Sequence, residues 1–175
     1  RLRLSHEAKI VAPVYINNYL QEFDKKSKLT FIKLTKHFKY TRKISNGINN
    51  HFFNNYCKFK KPDIVHLTYF DKQIFFKKKF KVIVTVYDLI HEIYEKEYNF
   101  KYPKNFKYNY LKIADEIICI SENTKRDLIK YYNIEEKKIT VIYLGVKKEK
   151  KLTEIKNLNL DKPYLLFVGD RKNYK

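Results

Sequence analysis

Tyr87, Asp88, His91 and Glu92 place a phenol, two carboxylates and an imidazole within one short stretch. Such groups can move protons, orient hydroxyls or stabilise a developing charge. They follow directly on Val82-Ile83-Val84-Thr85-Val86, a run without polar alternation that reads as a strand covered on both faces of a parallel sheet. In open α/β sheets ligands collect just beyond the carboxyl ends of the strands, which makes residues 81–92 a candidate site. The spacing fits a plainer reading equally well, with Asp88 as a turn or helix cap and His91 and Glu92 as a wet first helical turn.

The elements needed to position this stretch can be read on either side of it. Residues 9–15 are a short apolar run closed by Pro13 and predict a strand. From 25 to 61, lysines alternate with Phe31, Leu34, Phe38, Ile48, Phe52, Phe53 and Tyr56 at roughly helical spacing. This predicts two amphipathic helices, broken near Ser45-Asn46-Gly47, with the aromatics buried and the lysines wet. Residues 64–67 predict a second strand, and His66 at its end reads as a packed core histidine. Residues 101–112 predict a helix presenting Phe106, Tyr110 and Ile113, and residues 117–120 a further strand. Ser121 or Thr124 can cap the helix that follows, whose apolar face is Leu128, Ile129 and Tyr132. Strands are also expected at 139–143 and 164–168. Strands alternating with helices make the fold class α/β, a Rossmann-like parallel sheet flanked by helices.

The chain has 175 residues, of which 44% are hydrophobic and 17% aromatic, enough for a globular core. Its formal charge of +19 comes almost entirely from lysine, since arginine occurs only at 1, 3, 42, 126 and 171. A dedicated nucleic-acid surface more often uses arginine, which grips phosphate and guanine bidentately, so no specific nucleic acid is expected as a partner. Anionic head groups and phosphorylated ligands remain compatible with the charge. Cys57 and Cys119 have neither metal nor redox-motif spacing and fit a reducing compartment. No run reaches the ~18 to 20 apolar residues of a membrane span.

Five segments in order, DIVHLTYF (63–70), TVYDLIHE (85–92), ADEIICISENTKRDLIKYY (114–132), ITVIYLGV (139–146) and PYLLFVGDRKNYK (163–175), resemble bacterial family 4 glycosyltransferases of the GT-B fold. The resemblance implies residues 1–146 as the N-terminal, acceptor-side Rossmann-like domain without its first strand and loop. It further implies 147–162 as a linker and 163–175 as the start of the donor-binding domain, a fragment inactive by itself. The implied activity is sugar transfer, of hexosyltransferase type and retaining, from a nucleotide sugar to a glycan or lipid-linked acceptor. Lipopolysaccharide or capsule synthesis is the implied setting.

By the same resemblance Tyr87, Asp88, His91 and Glu92 line the acceptor side, with tyrosine where many relatives have histidine. Arg171 and Lys175 resemble the cations that meet the donor diphosphate, where charge grows as the nucleoside diphosphate departs. No metal or other cofactor is implied, and the location is cytoplasmic with peripheral contact on the inner face of the membrane. A competing reading is a basic, non-catalytic module that binds nucleic acid or anionic membrane.

Overall fold

The computed structural model describes residues 7–16, 18–22, 25–26, 28–34, 39–70, 80–98, 106–146 and 163–169. Its fold is mixed α/β with parallel sheets flanked by helices. The largest sheet has four strands in the order β5-β6-β7-β8, namely Ile64–Leu67, Lys81–Val86, Glu116–Cys119 and Ile139–Val141. β5 pairs with β6 in parallel, Ile64 opposite Lys81 and Leu67 opposite Val84, and β7 pairs with β8 likewise. Two compact units divide the chain within β6. One is Arg1–Val84 with Ile113–Asp115; the other is Thr85–Lys112 with Glu116–Lys175.

In the first unit the apolar run at 9–15 forms two strands instead of one. β1 (Ile10–Val11) pairs with β3 (Lys28–Leu29), and β2 (Val14–Tyr15) with β4 (Ile32–Lys33), all parallel. Proline causes the interruption, because Pro13 has no N–H to give to a ladder. Its carbonyl instead accepts from both Phe31 N and Ile32 N, at 2.9 and 2.8 Å. Residues 28–33, expected in a helix, are therefore strand partners, and residues 35–38 lie outside the described set.

The second correction concerns the helix break. α1 runs without interruption from Lys39 to Lys60, straight through Gly47, which has ordinary backbone geometry and open space where a side chain would sit. The helix stops at Lys61, in the left-handed region at φ 45, whose N–H reaches Cys57 O. Pro62 then prevents continuation.

The buried side of α1 carries only some of the expected aromatics, with Phe53 and Tyr56 half-buried. Ser45 and Cys57 are buried, while Ile44, Ile48, Phe52 and Phe59 are exposed. Asn49 explains the choice: its amide donates to Val14 O at 2.9 Å and its Oδ1 accepts from Val14 N at 2.8 Å. Those backbone groups of β2 would otherwise be orphaned, a cost that outweighs turning isoleucine outward. His66 is another reversal, since β5 alternates and His66 lies on its exposed side while Val65 and Leu67 are buried.

The second unit follows the sequence pattern more closely. Val86, Leu89, Leu111, Ile117, Cys119 and Leu128 are all buried to about the same completeness. Ser121 caps α5 (Glu122–Tyr132) by accepting from Thr124 N at 3.1 Å, and Asn133 closes the helix in the left-handed conformation. α4 spans Phe106–Ile113. Burial pushes the thiols of Cys57 and Cys119 up to about 11, so both are inert packing groups. Residues 163–168 form no strand and are exposed, against the strand expected at 164–168. A strand needs a ladder partner, and among the described residues none pairs with them.

Candidate functional site

The stretch that follows β6 is a turn between a fully buried strand end and a short helix. Val86 is completely buried, Tyr87 half-buried, Asp88 exposed and Leu89 buried again. Leu89 anchors the turn, and its carbonyl receives the N–H groups of Glu92 and Ile93 as α2 (Ile90–Ile93) begins. Asp88 is thereby held at the surface, with Oδ1 accepting from Ile90 N at 3.2 Å. This contact is the short-range turn that the plainer sequence reading contains, while the N-cap position of α2 is Leu89. It leaves the carboxylate exposed and able to meet a ligand.

Glu92 is placed differently from Asp88. Its side chain is 15% exposed, and Oε2 pairs with Lys107 Nζ at 2.9 Å while Oε1 accepts from Tyr132 OH at 2.9 Å. Lys107 is itself buried, and the same ammonium donates to Asp88 O at 2.9 Å. One residue earlier, Thr124 Oγ1 donates to Tyr87 O at 3.1 Å. Tyr132 also stacks on Tyr108, with centroids 6.2 Å apart and planes at 17°. His91 is half-buried in α2.

Of the six expected site residues, the structure thus joins Asp88 and Glu92 through Lys107, while the Tyr87 carbonyl is held separately by Thr124. His91 sits on the same short helix as Glu92. Arg171 and Lys175 lie outside the described residues. Among the described residues no three His, Cys, Asp or Glu side chains cluster closely enough to hold a metal ion, and no helix is long and apolar enough to cross a membrane.

Sequence reasoning missed Lys107 and assigned Tyr132 only to an apolar face. A signal for Lys107 did exist. Positions 107, 110, 111 and 114 repeat at i, i+3, i+4 and i+7, and Lys107, Tyr110, Leu111 and Ala114 are all buried. A lysine on the apolar stripe of a helix demands a partner, because an unpaired buried ammonium is very costly. For the Tyr132 hydroxyl, whose carboxylate is 40 residues away, no local pattern exists.

Comparison with known proteins adds one finding. The family model described as Glycosyltransferase Family 4 matches residues 3–150, most of the chain. No curated protein matches closely enough to count as a relative.

Proposed function

Because the chain belongs to glycosyltransferase family 4, we propose that it moves a hexose from a nucleotide-sugar donor to a hydroxyl of a glycan or lipid-linked acceptor, retaining anomeric configuration, in bacterial lipopolysaccharide or capsule synthesis. In this reaction the bond from the anomeric carbon to the diphosphate breaks, and its electron pair leaves with the nucleoside diphosphate. The acceptor oxygen forms the new bond and loses its proton. The observation that carries the reading is Asp88, an exposed carboxylate fixed just past the end of a buried strand inside a family 4 domain.

Asp88 has the role of orienting the acceptor hydroxyl and receiving its proton, with Tyr87 and His91 beside it as hydrogen-bonding groups. Glu92, both of whose oxygens are already engaged, holds the turn through Lys107 and lines the acceptor side with Tyr87, Asp88 and His91. Arg171 and Lys175 are assigned to the departing diphosphate, where fixed cations lower the barrier. No metal is required in this scheme.

Assays of the full-length protein against UDP-, GDP- and ADP-sugars with lipid-linked acceptors test these roles. Asp88→Ala should lower kcat by about 10² to 10⁴, the usual worth of a positioned proton acceptor, and Lys175→Ala should lower it as well. Wild-type rates in both variants would remove the residue assignments. Proton NMR of the first-formed product reads the anomeric outcome directly.

A cytoplasmic location with peripheral contact to anionic membrane is proposed for the same protein. It is supported by α1, where Ile44, Ile48 and Phe52 recur at every fourth residue, all exposed, and Phe31 packs on Phe52 with centroids 5.3 Å apart. No Asp or Glu occurs between Lys25 and Lys61. An apolar ladder flanked at both helix ends by cations, Lys39, Arg42 and Lys43 before it and Lys58 and Lys60 after it, without carboxylates, suits a helix that lies in a membrane interface.

A further inference from the structure

The two peptide groups that follow β6 are held by side chains from two different helices of the same compact unit. Thr124 Oγ1 of α5 donates to Tyr87 O at 3.1 Å, and Lys107 Nζ of α4 donates to Asp88 O at 2.9 Å. Both donors are buried, at 6% and 5% exposure. Polar groups so deep are retained only where their hydrogen bonds are made, and a buried ion pair can often be replaced by apolar side chains without loss of stability. Lys107 is therefore an expensive way to fill a core position. Its ion pair with Glu92 settles its charge, yet the ammonium also reaches a main-chain carbonyl 19 residues away.

That carbonyl belongs to the one residue of the turn whose carboxylate is both exposed and proposed to react. The carboxylate's own tether, the 3.2 Å contact to Ile90 N, is at the long end of hydrogen-bond range. It cannot fix the direction of Asp88 unless the peptide units on either side of the Cα are fixed first. Thr124 and Lys107 hold the carbonyls at 87 and 88, and those carbonyls belong to the peptide units on either side of that Cα. Rotation about the Asp88 backbone would break at least one of these bonds.

We propose that Lys107 and Thr124 are positioning residues for Asp88, clamping the successive carbonyls of Tyr87 and Asp88 so that the carboxylate stands in one direction at the end of β6. Glu92 completes the clamp by holding the lysine, and Tyr132 in turn donates to Glu92. The inference rests on the role given to Asp88 above, but it concerns geometry that can be read without turnover. Reacting groups must be held to within about 0.5 Å of productive geometry, and a shift of about 1 Å can cost on the order of 10² in rate.

The test uses amide hydrogen exchange by NMR on the intact chain, with the Ile90 amide as reporter because it donates to Asp88 Oδ1. Thr124→Val keeps the shape and loses the hydroxyl, Thr124→Ser keeps the hydroxyl, and Lys107→Met paired with Glu92→Gln removes the ammonium without stranding a buried carboxylate. The expected result is Ile90 exchange about tenfold faster in Thr124→Val and in the Lys107→Met/Glu92→Gln pair, restored in Thr124→Ser, with the Ile117 and Ile118 amides of β7 unchanged. Unchanged Ile90 exchange in both variants overturns the proposal. So does faster exchange spread equally over β7, which would make both residues general supports of the fold. In turnover, the clamp variants should lower kcat and leave the donor KM in place. Asp88→Ala at wild-type rate alongside responsive Ile90 exchange would remove the catalytic role of Asp88 and leave the clamp as observed.

Discussion

Glu92 shows how one residue's surroundings decide its role. A carboxylate beside a histidine at a strand end is a natural candidate for proton transfer, but both of its oxygens are spoken for and its lysine partner is buried. Removing Glu92 would strand the Lys107 ammonium away from its counter-charge. We expect Glu92→Ala to cost about 3 to 5 kcal/mol, the usual penalty for breaking a buried pair from one side. Tyr132→Phe removes a single hydrogen bond to a charged acceptor and should cost about 1.5 to 3 kcal/mol. Urea unfolding followed by circular dichroism measures both. Equal losses below about 1 kcal/mol in the two variants would mean that Lys107 re-pairs easily and that the pair is not a structural anchor.

At the scale of elements, α1 and α5 make opposite cases. α5 is set by local rules, with a serine cap, an apolar stripe that includes the fully buried Leu128 and a left-handed asparagine at its end. In α1 the local signals mislead. Gly47 resembles a break, yet the helix passes through it because nothing there calls for a turn and the next left-handed residue is Lys61. With ordinary backbone geometry and no atom within 4 Å of a would-be Cβ, Gly47→Ala should raise stability by about 0.5 to 1 kcal/mol. The urea midpoint reads this, and a lowered midpoint would show that the glycine is needed. The outward turn of Ile48 and Phe52 follows from Asn49 serving Val14, so the hydrogen-bonding needs of β2 choose the helix face.

For the whole molecule the excess of lysine becomes informative once its distribution is known. Spread evenly, +19 would mean little beyond solubility and unspecific attraction. Much of it falls in the acid-free stretch 25–61, which also carries exposed Ile44, Ile48 and Phe52, the features behind the proposed membrane contact. Co-sedimentation should therefore show binding to phosphatidylglycerol-containing vesicles and little to phosphatidylcholine alone. Paired substitution Ile48→Asp with Phe52→Asp should weaken binding by roughly tenfold or more, since it removes buried apolar area and adds repulsion. Equal binding by the variant would assign the attraction to diffuse charge, and salt-resistant, sequence-selective binding to DNA would favour the competing reading of a nucleic-acid module.

The sequence by itself determined the parts that short-range physics controls. The β-branched run at 82–86 reads as a buried strand, Ser121 or Thr124 as the cap of α5, and the order of the motifs resembles the family whose model matches the chain. It also brought Asp88 to a strand end, because a turn must follow where the apolar run stops. Tertiary structure alone decided which of the neighbouring polar residues are free to act. Lys107 reaches Glu92 across 15 residues and Tyr132 reaches it across 40, and such pairings depend on how α4 and α5 pack, which no periodicity encodes. Packing in the second unit buries Lys107 and Thr124 and exposes Asp88, while in the first unit the bonds between Asn49 and Val14 turn the apolar ladder of α1 outward. Burial of main-chain hydrogen-bonding groups sets these choices, and it is satisfied only in the assembled fold.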